Sequence, residues 1–579
     1  MPPRPIAAPA GARRYLAAAA TLAPQGDGTH RARVGARDHV LTGAERAALL
    51  ACERLRPLDD HAGAQPTPER ARAVPALAAR GLLVGEDELL ARLAERRPVE
   101  PPPPPLERLT VFSCARPALA VAAVREHLEA ARGAARPLTI TVVDDARAPA
   151  ATEVVRQGLT GFAGVHVVDR AEREGLAASL ARAAGVEEAL VREAVLGSDP
   201  TGPTGGAARS AALLLAAGDL LATTDDDAHA AAGVPAGVRD DLLRIARSAD
   251  PTRLAVFRAR EAAFAALRPE ERPAFACFDA VLGRACATLA TEHPGERELD
   301  VAVHRVLEAN PGEAARVRLA ALGLAGDAGA SHPAYPLLAG PRDRAALIDA
   351  WGSARYSREQ VRCAPAVTLS SSPFFMSGFA AFDARSLLPP FLPDGRAPDA
   401  TFAAVLRRMA PADLVAHLPR VHLHDPPERR AHADPLEVLA CPSANELLPA
   451  VIAKLPVSAP CATERLVELG GALRGVATDA TLPWLLDAQI RAIATARVAR
   501  LTEALEAAAA YPGGAAFAED VEDALHRVRE TLARPRLAPR DHPRDALGAV
   551  AARWSSYGAI LEAWPRIFSA AARRRGAAG

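Results

Sequence analysis

Gly205-Gly206-Ala207-Ala208-Arg209-Ser210 leads into the apolar run Ala211 to Ala217, a turn at Gly218-Asp219, and Leu220-Leu221-Ala222-Thr223-Thr224-Asp225-Asp226-Asp227. Glycines flanking a basic residue start a helix, Gly218-Asp219 turns the chain, and a short apolar strand delivers three carboxylates to its C-terminal end. Carboxylate oxygens at a strand end suit a divalent cation, and a nearby arginine suits phosphate. Acidic triplets also cap helices and fill solvated turns, so the meaning of this one depends on its surroundings.

Upstream, Leu109-Thr110-Val111-Phe112-Ser113-Cys114-Ala115-Arg116-Pro117 reads as a buried strand running into a polar loop, and Ala118 to Ala131 has helical periodicity. Leu138 to Asp145 is a second β-branched strand, followed by a helix from about Thr152 to Leu159 and the strand Val165 to Asp169. Strands and helices alternating at this spacing predict βαβ units and a parallel sheet, with ligands outside the carboxyl ends of its strands. Ser113, Arg116, Asp144, Asp145 and Asp225 to Asp227 then face one crevice. Asp144 and Asp145 could equally start a turn.

A glycine-arginine helix before a strand ending in Asp225-x-Asp227 resembles family 2 and related glycosyltransferases of the GT-A fold, in the nucleotide-diphospho-sugar transferase superfamily. The resemblance implies an α/β, Rossmann-like, mostly parallel sheet and a UDP- or GDP-linked sugar donor. It places Ser113, Arg116, Asp144, Asp145, Arg209, Asp225 and Asp226 at the donor, with Asp144 and Asp145 near base and ribose. Asp225 and Asp227 would hold Mn2+ or Mg2+. Downstream, Gly395-Arg396-Ala397-Pro398-Asp399-Ala400-Thr401-Phe402 looks like the acceptor side of such enzymes, where an acid at a helix N-terminus approaches the acceptor. Asp399 matches, although Pro398 replaces the first acid of the usual pair. One carboxylate suffices as base for a single, inverting displacement, while a plain helix cap is the competing role. The family often adds a histidine ligand after this helix. His417, His422 and His424 are the candidates, with His424 preferred because Asp425 could orient its ring.

Composition limits the alternatives. The 579 residues are half hydrophobic, with 69 basic and 69 acidic side chains, which permits several domains and gives no net attraction to nucleic acid or anionic membrane. A single lysine, Lys454, among many arginines and alanines reflects a GC-rich genome. Seven dispersed cysteines without a Cys-x-x-Cys pair fit a reducing, cytoplasmic setting, and Cys114 is expected to be a small buried hydrophobe. No apolar run is long enough to span a bilayer, and Arg13-Arg14 before an alanine-rich stretch imitates a signal peptide only weakly.

Residues 1–97 are expected to form a small winged-helix-like module, resembling precursor-peptide recognition modules, or a generic docking or oligomerisation unit. The proline-rich stretch 98–106 would be a stiff linker that leaves it separable. Residues 107–233 would be the nucleotide-binding half, 234–358 a helical insertion and 359–430 the acceptor-side half. The insertion carries helices at Val238–Ala246, Pro269–Glu292 and Glu313–Leu324, and could act as a lid. Residues 431–579 would form a C-terminal helical bundle with Trp554, Tyr557 and Trp564 as core anchors.

Three functional classes follow. A metal-dependent hexosyltransferase acting on an acceptor hydroxyl leads, with a peptide and a polysaccharide among the acceptors. A nucleotidyltransferase is disfavoured because no glycine-rich, lysine-containing loop follows Ser113. A non-catalytic scaffold on the same sheet is the third.

Overall fold

The computed structural model describes residues 13–25, 27–63, 67–199, 202–248, 250–309, 314–329, 334–372, 374–428, 435–542 and 546–576. The expected boundary at 430/431 lies outside them.

The large sheet contains, in chain order, β1 (Arg108–Ser113), β2 (Thr139–Asp144), β3 (Val165–Val168), β4 (Leu220–Asp225), β5 (Ala228–Pro235), β6 (Arg239–Ala246) and β7 (Arg253–Val256). It continues with β8 (Leu267–Pro269), β9 (Glu296–Leu299), β10 (Val317–Asp327), β11 (Glu359–Cys363), β12 (Ala366–Ser370), β13 (Phe379–Asp383) and β14 (Leu414–His424). Its main path runs β9-β6-β12-β14-β10-β13-β4-β1-β2-β3. Six of the nine ladders on that path are parallel, with antiparallel steps at β12/β14, β10/β13 and β13/β4. The protein is thus α/β with a mixed, mostly parallel sheet.

Helices α1 (Pro117–Gly133), α2 (Pro149–Gly158), α3 (Arg170–Ala184), α4 (Glu188–Leu196) and α5 (Gly205–Leu215) connect β1 to β4. The opening stretch folds as its residues suggest. Gly218 has φ +100°, the left-handed backbone that ends the helix segment and admits β4. Gly206 has a different reason: a Cβ there would come 1.8 Å from the Leu392 carbonyl oxygen. That contact brings the 387–393 loop against the start of α5, where Phe391 N also donates to Ser210 Oγ at 2.9 Å.

The segment 234–358 is not a helical insertion. Val238–Ala246 and Glu313–Leu324, expected as helices, fall largely in β6 and β10, and Pro269–Glu292 holds a short 3-10 turn and the helix Cys286–Glu292. Val317-Arg-Leu-Ala-Ala-Leu-Gly-Leu-Ala-Gly-Asp is rich in helix-favouring alanine and leucine. As a strand covered on both faces it shows no alternation that would mark it as one.

The amino-terminal elements include the antiparallel strands His30–Val34 and Arg37–Leu41 and the helices Gly43–Ala51, Pro68–Ala79 and Glu86–Glu95. They are not held apart by a linker. Leu16, Leu55, Leu89 and Leu93 share one apolar cluster with Leu299 and Val303, Leu55 N donates to Leu299 O at 2.8 Å, and His304 Nε2 meets Ala17 O at 2.7 Å. The proline run ends at the fully buried Leu106, and Glu100 pairs with Arg316.

Beyond β14, α6 (Pro398–Met409) having preceded it, come α7 (Ala444–Ile452), α8 (Ala462–Thr478), α9 (Leu482–Ala509), α10 (Ala515–Ala533) and α11 (Leu547–Gly576). Trp554, Tyr557 and Trp564 are at most 1% exposed and join the cluster that covers α3 to α5. Trp564 Nε1 donates to Leu388 O at 2.7 Å and the Tyr557 hydroxyl to Pro390 O at 2.9 Å, so α11 fixes the loop that presses on Gly206. Among the described residues, no helix is long and apolar enough to cross a membrane.

Because the amino-terminal residues and the sheet share one core, Leu93→Ala should remove about 2–5 kcal/mol from a single cooperative unfolding transition. Calorimetry resolving two transitions, with only the weaker one moved, would restore the separable module.

Candidate functional site

The crevice forms where β1, β2 and β4 end side by side. Parallel pairing sets Asp225 opposite Phe112 and Ser113 opposite Asp144, and Asp226 N donates to Phe112 O at 3.0 Å. Asp225, Asp226 and Asp227 therefore emerge beside Ser113 and Arg116. Ala115 has φ +55°, unfavourable for a residue with a side chain, and precedes Arg116 in the turn out of β1.

Each carboxylate of the triplet meets a cation. Arg209, from α5, donates to Asp225 Oδ1 at 2.9 Å, with its guanidinium 4.8 Å from the Phe112 ring centroid. Arg116 bridges Asp226 and Asp227, reaching Asp227 Oδ2 at 2.6 Å. His424 Nε2 lies 3.1 Å from Asp227 Oδ1. Burial raises Asp225, and it raises Asp226 to about 7 despite Arg116. Burial opposes ionisation of Asp227 as well, but His424 and Arg116 hold its carboxyl well below the usual range. The Oδ2 of Asp226 is buried without a partner.

Of the three histidines, His424 reaches this turn. Its Nδ1 is 2.7 Å from the Asp327 carbonyl, which can only accept, so Nδ1 carries the hydrogen. Against the effect of burial, the Asp227 carboxylate raises the imidazole, so Nε2 directs a proton at it. Asp425, expected to orient the ring, instead pairs with Arg260, and its backbone N–H donates to Asp227 O at 2.8 Å. His422 is packed 6.2 Å from the Phe379 ring and His417 is stacked on Phe374 at 6.2 Å. Burial pushes the two imidazoles down to about 3 and about 4.

Asp144 and Asp145 do other work. Asp144 accepts from Ala146 N at 3.2 Å and Thr152 Oγ1 at 2.5 Å, closing the turn into α2. Asp145 accepts from Arg170 at 2.7 Å, from the fully buried Arg173 at 2.6 Å, and from Thr204, tying β2 to α3 and to the start of α5. Cys114 is exposed rather than buried, and desolvation with Asp145 and Asp144 nearby raises its thiol, the opposite of an activated nucleophile.

Asp399 sits in the first turn of α6, but the N-cap is Ala397, at φ +63°, and the helix has no side-chain cap. Asp399 Oδ2 accepts from Ser377 N at 3.1 Å, while Oδ1 is buried without a partner. Ser377 is followed by Gly378, whose carbonyl accepts from Asp225 N, so Asp399 is held beside the end of β4. Asn445 of α7 holds the preceding loop by donating to Asp394 O at 3.1 Å and Arg396 O at 3.0 Å.

Several residues of this site escaped the sequence reading. Asp327, at the end of β10, orients His424 and is held by Arg358 at 2.6 Å. Gly378 accepts from Asp225 N at 3.2 Å, and a Cβ on it would lie 2.8 Å from His422 Nε2. The strand ending Leu324-Ala325-Gly326-Asp327 carries the same signal as β4, an apolar run delivering an acid, but lay inside the supposed helical insertion 234–358. A cavity of about 400 Å³ bounded by Arg260, Arg358, Glu359 and Asp425 adjoins this end of β14.

Carboxylate oxygens and an imidazole nitrogen suit Mn2+ or Mg2+, and Nε2 of His424 would release its proton to take a cation. The donor set fits, yet among the described residues no three such groups are drawn up as a ligand cage. Arg209 takes Asp225 Oδ1, and Arg116 takes one oxygen each of Asp226 and Asp227.

No protein-family model and no curated protein matches the chain. Among solved structures it is similar to a mannosyltransferase from Pyrobaculum calidifontis, described in complex with GDP-Man and Mn2+. Identity is 16% over 82% of this chain and 94% of that one, with a TM-score of 0.27. A likeness of this size carries no argument about fold or activity.

Asp145→Ala should cost about 3–5 kcal/mol, because it leaves the Arg173 guanidinium buried without its carboxylate. Denaturant unfolding checks this; a variant as stable as the parent would return Asp145 to ligand binding alone.

Proposed function

We propose that the chain is a metal-dependent glycosyltransferase of GT-A type, moving a sugar from a nucleoside-diphosphate donor to an acceptor hydroxyl with inversion. The observation that carries this reading is the acidic turn Asp225–Asp227, crossed by two arginines and His424, with Asp399, whose Oδ1 is unpartnered, held beside the same strand end through Ser377. Basic groups able to leave for phosphate and acids able to take a cation lie within one turn.

Arg116 and Arg209 turn from the carboxylates to the diphosphate, where guanidinium hydrogen bonds grow stronger as charge builds on the leaving group. Asp225, Asp227 and Nε2 of His424 would hold Mn2+ or Mg2+, which supplies electrostatic stabilisation of that same charge. Ser113 and Asp226 line the donor side. Asp144 and Asp145 act one layer behind, fixing the loops that would shape the base and ribose pocket. Asp399 Oδ1 accepts the acceptor's hydroxyl proton as the oxygen attacks the anomeric carbon opposite the leaving diphosphate.

Asp227→Asn should lower Mn2+-dependent release of nucleoside diphosphate from a panel of UDP- and GDP-sugars by ~100-fold or more. Unchanged metal-dependent turnover in that variant removes the assignment.

Asp399→Asn should abolish transfer and leave nucleotide affinity within about twofold, since a base acts in the transition state and not in donor binding. Titration calorimetry with UDP and GDP, and NMR of the first product anomer, measure the two halves. A retained anomer, or wild-type transfer by the variant, rules out this role for Asp399.

A further inference from the structure

Asp399 and Arg408 lie nine residues apart on α6, about 14 Å along the axis at ~1.5 Å per residue. The far end of that helix borders a second cavity of about 400 Å³. Its walls include Arg305, Arg407 and Arg408, and Arg465 from α8. Among the described residues, none of these four guanidiniums is ion-paired with a carboxylate. Arg305 donates to Pro411 O at 3.3 Å, Arg408 to Leu455 O, and Arg465 to Ala459 O at 2.7 Å. Arg408 Nε is buried with no partner, and among the described residues Arg407 makes no hydrogen bond.

Two arginines elsewhere show the contrast. Arg420 is shared between Asp240 and Glu270, and Arg260 between Glu359 and Asp425. Around the cavity, burial and neighbouring arginines push Arg305 and Arg407 below the usual guanidinium range, with Arg247 adding to the repulsion. The nearby acids do not balance it. Glu308 offsets part of the charge on Arg305, and Glu468, close to Arg408, is engaged by the backbone N–H groups of Ser458 and Ala459 at 2.8 Å.

Four unpaired cations around one cavity repel one another until an anion enters. Phosphate oxygens are the natural match, because guanidinium presents a planar fork of donors and remains charged. A volume of about 400 Å³, against ~30 Å³ per water molecule, accommodates a diphosphate or a phosphorylated sugar. We propose that this cavity is a binding site for a small phosphate-bearing anion, separate from the acidic crevice at the other end of α6.

The test uses the full chain and inorganic pyrophosphate. Arg209→Gln weakens pyrophosphate binding in the crevice, so calorimetry in that background reports the second site. Binding should persist there, weaken with added salt, and fall by ~10-fold or more when Arg305→Gln and Arg407→Gln are added. Unliganded, the added changes should leave Tm unchanged or higher, since they relieve like-charge repulsion. If the pair fails to fold, Arg407→Gln alone is read the same way, and Arg407→Lys should keep much of the binding. Cosedimentation with phosphatidylcholine vesicles containing phosphatidic acid separates the sources. Capture that depends on Arg305 and Arg407 points to a lipid headgroup, and pyrophosphate binding without capture points to a soluble phosphate. The proposal is overturned if neither probe binds the Arg209→Gln protein, or if removing Arg305 and Arg407 changes neither.

Discussion

Asp226 and Asp227, just past the end of β4, are almost withdrawn from water while Asp225 keeps part of its surface, and the rest of the crevice is organised by the neutralisation of the three. Asp226 and Asp227 are 3% and 6% exposed, and removing an ion from water costs several kcal/mol unless opposite charge and hydrogen bonds replace the lost solvent. The compensating groups come from distant parts of the chain. Arg116 arrives from the loop after β1, Arg209 from α5 and His424 from the end of β14. His424 depends in turn on Asp327 at the end of β10, and Asp327 on Arg358. One turn of acid thus requires several strands to end at the same place, which a sheet with parallel β1, β2 and β4 achieves through shared strand direction.

The outer elements serve that crevice indirectly. Helix α11 holds the 387–393 loop by two hydrogen bonds from buried aromatic side chains, and the loop's Leu392 carbonyl occupies the space that a side chain at residue 206 would need. The start of α5 is thereby fixed, and with it Arg209. Asp394 accepts from the Ser198 backbone and hydroxyl, and Asn445 braces the next turn, so the approach to Asp399 is tied to both the sheet domain and the C-terminal helices. The amino-terminal residues pack at the opposite edge, against β9 and the segment after it. There they share the apolar core beneath that edge.

How legible each part was follows from residue chemistry. β1, β2 and the stretch from Gly205 to Asp227 could be read because β-branched residues, turn glycines and terminal acids coincide there. β6 and β10 could not, because alanine, leucine and arginine take the place of β-branched residues and a strand buried on both faces has no period of two. The shared core of the amino-terminal residues was hidden for another reason: five prolines in a row signal a stiff spacer, whereas the fold uses them as a strap ending at Leu106. At the site, the residue types at Arg116, Arg209 and Asp225–Asp227 pointed to one place, but the internal partners of Asp144 and Asp145 depend on Thr152, Arg170, Arg173 and Thr204. Those long-range hydrogen bonds leave no local pattern in sequence. His424 was separable from His417 and His422 only once the bulged pairing of β14 with β10 fixed which ring reached the turn.

The internal ion pairs also constrain how the proposed ligands can enter. An anion that drew Arg116 and Arg209 away by itself would leave Asp225 and the buried Asp226 without a cation and Asp227 with His424 alone. A cation that displaced Arg116 by itself would leave the guanidinium without its partners. Either exchange exposes a half-buried charge of one sign. When phosphate and a divalent cation arrive together, arginine–carboxylate contacts are replaced by arginine–phosphate and carboxylate–metal contacts, and local charge stays balanced throughout. On the proposed function, selectivity for a metal-complexed diphosphate over free nucleotide or free metal would follow from the charge arrangement of the resting crevice, before any contact with base or sugar is made.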